Sequence, residues 1–123
     1  MLEVWTAQYS YNGPDRLDIT VKGQDPVGKY FVPTWEMVMG YKKGELSEEK
    51  YTEQYIKLMR KSWQEHPEAW QELLSRKRVV LVCFCKPGAF CHRVILARLL
   101  EKCGAVYKGE IKWPYKQDRQ VKV

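Results

Sequence analysis

Residues 79–85 form an uninterrupted apolar run that is rich in valine. A short run that is apolar on both faces is typical of a central strand that is covered on both sides. Lys86-Pro87-Gly88 ends this run, because proline lacks an N–H group and glycine permits positive φ. Apolar residues at helical spacing follow, and Gly104 provides a stop: Leu96, Leu99, Leu100 and Cys103. The pattern predicts a strand, a tight loop and a helix.

Strict alternation of apolar and polar residues predicts a strand over 16–22, and strands are also predicted over residues 2–8 and, as a short one, over 29–32. Helical spacing predicts three further helices: over 35–39 with Thr34 as cap and Gly40 as stop, from Ser47 to about residue 63, and a short one with Pro67 at its first position and His66 just outside. A last strand or hairpin follows Gly104. Residues 1–123 are therefore expected to form one three-layer α/β domain, with a mainly parallel sheet flanked by helices and a frayed basic tail over 114–123.

Composition narrows the classes of partner. The chain of 123 residues is 45% hydrophobic, so it can support one modest core. It shows neither a signal peptide nor a stretch of about 20 apolar residues, and we expect a cytoplasmic protein without membrane contact. The net charge of +6 favours anionic partners such as nucleotides, phosphorylated metabolites or nucleic acid.

The chain has four cysteines: Cys83, Cys85, Cys91 and Cys103. Without a secretion signal, thiols are expected rather than disulfides. A bridge between Cys83 and Cys85 is disfavoured in addition, because both residues lie on one face of the same predicted strand.

The predicted helix after the apolar run breaks a local electrostatic rule. A helix N-terminus favours acidic residues, yet this one offers Cys91, His92 and Arg93, with Lys86 just before. No acid lies nearby in sequence. A bound phosphate or carboxylate would resolve the conflict, and a thiolate at Cys85 or Cys91 would gain from it. The alternative is an acid from elsewhere in the fold that pairs with Arg93.

A family resemblance supports this location. Cys83-x-Cys85-(x5)-Cys91-His92-Arg93, followed by Leu96-Ala97-x-x-Leu100, resembles the pattern of the family catalogued as domain of unknown function 488. Further similar stretches are Asp18-Ile19-Thr20-Val21-Lys22, Pro33-Thr34-Trp35 and Tyr51-Thr52-x-x-Tyr55. The resemblance implies a small α/β protein of mostly bacterial and phage distribution, and it implies no reaction.

The main functional hypothesis is that the strand–loop–helix segment captures a small anionic, nucleotide-like ligand, as a module that sequesters a nucleotide signal would. Arg93, Lys86 and backbone N–H groups of the loop around Gly88 would hold the anion. The polar face of the second strand would supply the opposite wall: Asp18, Thr20 and Lys22. Tyr51 and Tyr55 would stack on the ligand or close the pocket, although tyrosines at helical spacing are also typical of a core.

Two other functions stay open. In the first, the protein is an enzyme that acts on a nucleotide or phosphorylated substrate with Cys85 or Cys91 as nucleophile and His92 as general acid. It would not be a phosphatase of the cysteine–arginine loop type, because the position six residues after Cys85 is Cys91. In the second, the basic C-terminal segment binds a nucleic-acid backbone.

Metal binding is not expected from the sequence. Cys83, Cys85, Cys91 and His92 are residues that zinc accepts. However, an extended strand would separate Cys83 from Cys85 by about 6.8 Å. The sequence therefore predicts no metal and no cofactor.

Overall fold

The computed structural model describes residues 1–85 and 89–112. Lys86, Gly88 and the predicted tail over 114–123 lie outside these residues. The described strands are β1 (Glu3–Gln8), β2 (Arg16–Asp18), β3 (Arg78–Cys83) and β4 (Val106–Ile111). The described α-helices are α1 (Trp35–Lys42), α2 (Glu48–Glu65), α3 (Pro67–Leu74) and α4 (His92–Lys102).

The described strands form one parallel sheet in the order β2-β3-β1-β4. The predicted α/β fold, with a parallel sheet flanked by helices, is confirmed. β3 lies between two partners, which explains why its residues from Val79 to Cys83 are all buried. Because the strands are parallel, their carboxyl ends meet at one edge, where ligands collect in folds of this class.

The sequence predicted either a strand or a hairpin after Gly104, and the structure shows one strand, β4, parallel to β1. Its register with β1 shifts where Val4 pairs with Tyr107 and Trp5 with Gly109. Gly109 has φ +119°, a conformation that favours glycine. The extra residue places Glu110 opposite Thr6. The irregularity therefore brings an acid to the face of the sheet that α4 covers.

The helix starts follow their predicted caps. The Thr34 side chain accepts a hydrogen bond from the Met37 amide at the start of α1, and Ser47 accepts one from Lys50 at the start of α2. Pro67 occupies the first position of α3. The stop predicted at Gly40 is wrong, because α1 continues through it to Lys42. No described helix combines the length and the apolar composition that a membrane crossing requires.

The larger core cluster joins the helices to the sheet: Tyr55, Trp70 and Leu96 pack with Val4 and Leu81, all at most 3% exposed. A smaller cluster is formed by Ala7, Tyr11, Val80 and Val82. Alternate residues of β1 and β3 belong to different clusters, as the period of two in a strand requires. Both faces of the sheet therefore bury apolar side chains, and the smaller cluster consists of strand and turn residues.

Two predicted strands differ from the structure. β2 ends at Asp18, because the Asp18 Oδ1 atom accepts hydrogen bonds from both the amide and the hydroxyl of Thr20 and turns the chain. The strand predicted over 29–32 is instead a 3-10 helix, Gly28–Phe31. Asp25 sets up this turn by accepting hydrogen bonds from the amides of Val27 and Gly28.

Candidate functional site

Three cysteine side chains converge at the carboxyl end of β3. The sulfur atoms of Cys83, Cys85 and Cys91 all lie within 4.8 Å of one another, and we call them the sulfur cluster. β3 ends at Cys83, so Cys83 and Cys85 do not share an extended strand as the sequence predicted. Cys91 is the N-cap of α4, so the end of β3 and the start of α4 lie side by side. The fold thus brings together residues that strand spacing would separate.

Cys83 and Cys91 are joined as a disulfide, and the prediction that both are free thiols was wrong. No local pattern in the sequence pairs them, because the end of the strand and the start of the helix become neighbours only in the folded chain. Cys85 and Cys103 are free thiols, as predicted. Cys83 and Cys91 are buried, whereas Cys85 is half-buried and Cys103 is exposed. Cys85 is therefore the accessible member of the sulfur cluster.

Arg93 is buried beside the cluster with 1% exposure, and its charge is paired. Its Nε and Nη2 atoms donate to the two carboxylate oxygens of Glu110, at 3.3 and 3.0 Å. Its Nη1 atom donates to Cys83 Sγ at 2.8 Å and to the Cys85 carbonyl at 3.0 Å. The unneutralised cation that the sequence suggested is thus not what the structure shows. An acid from another element satisfies the cation, and an anion would have to displace it.

Glu110 is held in turn by the sheet. The Thr6 hydroxyl donates to Glu110 Oε1 at 2.6 Å, and the Tyr107 hydroxyl lies 2.7 Å from the same Thr6 oxygen. Because the Thr6 hydrogen is directed to the carboxylate, Tyr107 is the donor in the second contact. A hydrogen-bonded chain therefore runs from β4 through β1 to Arg93 and the sulfur cluster. Such a chain fixes the guanidinium in one orientation.

His92 is buried, and both of its ring nitrogens face polar atoms. Nε2 lies 2.6 Å from the Ile19 carbonyl oxygen, and Nδ1 lies 3.7 Å from Cys91 Sγ. Because a carbonyl only accepts, the neutral ring carries its hydrogen on Nε2. Burial lowers the pKa of His92 to about 4, and Arg93 lowers it further against the opposing effect of the Ile19 hydrogen bond. His92 is thus a neutral ring that ties α4 to the segment after β2.

The two predicted tyrosines have different positions. Tyr55 is fully buried and donates to the Phe31 carbonyl at 2.7 Å, so it belongs to the core. Tyr51 lies near the sulfur cluster: burial raises its pKa, and the charge of Cys85 raises it further. Its ring packs with those of Tyr41 and Phe90 at centroid distances of 5.9 and 5.3 Å. This aromatic group borders the accessible side of Cys85.

A groove of about 690 Å³ lies between α2 and α4, beside the cluster, and we call it the central groove. Cys91 and Arg93 are among the residues that line it. Apolar side chains form much of its wall, including Ile56, Phe90, Val94 and Leu99. The lining also includes two exposed basic residues of α4, Arg98 and Lys102, and the acids Glu48 and Glu110; Arg98 is ion-paired with Glu101 at 2.9 Å on the surface. An apolar wall that also carries cations suits an amphipathic anion.

None of the polar residues predicted for the opposite wall lines the central groove. Asp18 and Lys22 line a separate polar pocket of about 460 Å³ with Tyr9 and Arg16. Thr20 is buried and bonded to Asp18. Lys22 lies over the Trp35 ring, 4.8 Å from its centroid. Early termination of β2 explains the separation, because the three residues no longer share one face of a strand.

Several residues of the site escaped the sequence prediction: Thr6, Tyr41, Phe90, Arg98, Lys102, Tyr107 and Glu110. For Glu110 one signal was present. A helix start with Arg93 and no local acid requires an acid from another element, and the following strand carries one acid, Glu110. The choice between that residue and a bound anion depended on strand register, which the sequence did not define.

Comparison with known proteins identifies a family that covers most of the chain. The family model described as the active DUF488-N3 subclade matches residues 2–104 of the chain. The match includes the sulfur cluster, His92 and Arg93, whereas Glu110 lies beyond it. No curated protein and no solved structure matches the chain.

Proposed function

We propose, for a chain that belongs to the active DUF488-N3 subclade, that the central groove binds a small anionic, nucleotide-like ligand. One observation carries the proposal: the groove joins an apolar wall to the exposed cations Arg98 and Lys102. A nucleotide offers the matching parts, since its base is flat and largely apolar and its phosphates are anionic. The net charge of +6 favours the same class of ligand.

In this proposal the anion contacts differ from those that the sequence suggested. Arg93 stays paired with Glu110 and shapes the wall of the groove. Arg98 and Lys102 contact the phosphate groups instead. Both lie on the exposed part of α4, where a ligand can reach them without breaking a buried ion pair.

A screen of nucleotides and phosphorylated metabolites by thermal shift tests this proposal on the full chain. A ligand at about 100 times its Kd stabilises the folded state by about 2.7 kcal/mol. The double substitution Arg98→Ala and Lys102→Ala should abolish the shift. Lys61→Ala is the matched control, because Lys61 is an exposed lysine of α2 that does not line the groove. The proposal fails if no compound stabilises the chain, or if the double variant keeps the full shift.

A second function is favoured by the position of Cys85. A free, half-buried thiol lies next to two other sulfurs and close to Tyr51, and one of those sulfurs belongs to Cys91, which lines the groove. We propose that Cys85 acts as the nucleophile of an enzyme on the bound ligand, which agrees with the description of the subclade as active. In the reducing compartment that the sequence favours, this thiol stays reduced and the neighbouring Cys83–Cys91 bond opens to two further thiols.

Alkylation separates this function from binding alone. In the reduced chain, iodoacetamide should label Cys85 faster than Cys103 although Cys103 is more exposed. The ligand that stabilises the chain should slow the labelling of Cys85 and leave that of Cys103 unchanged. If Cys103 is labelled faster than Cys85, as its greater exposure alone would predict, and the ligand protects neither thiol, then Cys85 is not the nucleophile of an enzyme.

A further inference from the structure

The sulfur cluster has the composition of a soft-metal site. It consists of three cysteines, and their sulfur atoms lie within 4.8 Å of one another. In a tetrahedral zinc–thiolate site, each Zn–S bond is about 2.3 Å, so neighbouring sulfurs lie about 3.8 Å apart. Once the Cys83–Cys91 bond is reduced, its two sulfurs must separate by about 1.7 Å from the usual disulfide length, and Cys85 must approach them by about 1 Å or less. Side-chain rotation is sufficient for movements of that size.

The backbone spacing of the cluster also suits separate thiolates around an ion. The Cα atoms of Cys83 and Cys91 lie 7.9 Å apart. Most disulfides span about 4.4–6.8 Å between Cα atoms, whereas an ion placed between two sulfurs lengthens the link. Cys85 lies in the loop that follows β3, where it can complete a third contact.

Arg93 places a guanidinium donor against the cluster, and Glu110 balances the charge of that guanidinium. Three thiolates and one divalent ion carry one excess negative charge, and Cys83 and Cys91 are buried. The Arg93 guanidinium donates to Cys83 Sγ at 2.8 Å and to the Cys85 carbonyl at 3.0 Å. It thereby touches one ligand directly and fixes the backbone of a second, and Glu110 orients it. Hydrogen bonds of this type orient metal ligands and tune the ion.

We propose that the reduced chain binds one zinc ion through Cys83, Cys85 and Cys91, with Arg93 as a positioning residue. Three soft thiolates in tetrahedral reach select zinc over the hard cations. No fourth His, Cys, Asp or Glu from residues 1–85 and 89–112 joins the group, so the fourth position takes water or a ligand. Because metal ligands must be thiolates, the disulfide form of Cys83 and Cys91 is the metal-free form. The site does not depend on ligand binding in the central groove.

Metal titration of the Cys103→Ser chain tests the proposal. This background removes the free thiol outside the cluster. The protein is reduced, stripped with a chelator and titrated with zinc against a chromophoric competitor, and with cobalt to observe sulfur-to-cobalt charge transfer. One ion per chain is expected. Cys85→Ser should weaken zinc binding by more than about 100-fold, and Arg93→Lys by about 10- to 100-fold.

Two results would overturn the site: a reduced chain that binds no zinc, or a Cys85→Ser chain that binds it equally well. Circular dichroism shows whether each variant folds. If a variant does not fold, X-ray absorption at the zinc edge of the Cys103→Ser chain counts the ligands directly. Three sulfurs are expected there, and one or none contradicts the proposal. The nucleotide screen is repeated with chelator present, so a failure of the metal site leaves the groove proposal separately testable.

Discussion

The N-termini of α2 and α4 meet the same electrostatic requirement in different ways. At α2, Ser47 caps the first turn, and Glu48 and Glu49 place negative charge at the positive helix end. At α4, Cys91 makes no capping hydrogen bond with its side chain, and the first turn contains no acid. At α2, residues of the first turn and its cap supply the negative charge. At α4, the negative charge comes from a carboxylate of another element.

That carboxylate is Glu110, which lies 17 residues after Arg93 and reaches it through the register of β4 on β1. The comparison shows that a broken local rule has two solutions: a bound ligand or a distant protein group. At α4 the protein group neutralises the arginine. The reactive groups that are left at this helix start are the sulfur atoms of Cys83, Cys85 and Cys91.

The largest expected effect is on the buried ion pair. Glu110→Ala should lower the free energy of unfolding by about 3–5 kcal/mol, because it leaves the Arg93 charge buried without its carboxylate. Glu72→Ala is the matched control. Glu72 also accepts Nε and Nη2 of an arginine, Arg76, but on the surface of the protein. Its loss should change the free energy by about 1 kcal/mol or less in urea unfolding. If Glu110→Ala and Glu72→Ala lowered the free energy of unfolding equally, the burial of Arg93 would not affect stability.

The next effect is a pH dependence at the start of α4. Burial lowers the pKa of His92 to about 4 in the folded state, against 6.5 when unfolded. The unfolded chain therefore binds the proton first as the pH falls. Stability from this residue is complete above pH 6.5 and declines by about 3 kcal/mol between pH 6.5 and 4. Urea unfolding of the metal-free chain across this range measures it, and His92→Gln should flatten the slope. An unchanged slope in that variant would assign the effect to other groups.

A smaller effect is expected at the α2 cap. Ser47→Ala removes the side-chain acceptor for the Lys50 amide, and should lower the free energy of unfolding by about 1 kcal/mol. Ser47→Asp restores an acceptor and should recover most of this loss. If Ser47→Ala did not change the free energy of unfolding in the same assay, Ser47 would not stabilise the start of α2.

The smallest effect concerns charge alone. Glu49 lies exposed in the first turn of α2. Glu49→Gln should lower the free energy of unfolding by about 0.3–1 kcal/mol at low salt, with the difference reduced at high salt. Thermal unfolding at two ionic strengths measures this, and a loss that is independent of salt would contradict an electrostatic origin.

Much of the fold was determined by local sequence. The apolar run of β3, the caps Thr34 and Ser47, and Pro67 at the start of α3 were predicted correctly, because each acts within a few residues of the chain. The family membership was recognised from the cysteine pattern and is confirmed by the matched family model. These features fixed the class of the protein and the location of its unusual residues.

Tertiary structure alone decided the partners of those residues. The bond between Cys83 and Cys91 depends on how the end of β3 lies against the start of α4, and the ion pair of Arg93 with Glu110 depends on how β4 pairs with β1. Each of these contacts joins residues that no local periodicity relates. Side-chain chemistry and spacing show that an arginine or a thiol needs a partner, but only the packed chain selects which one it receives.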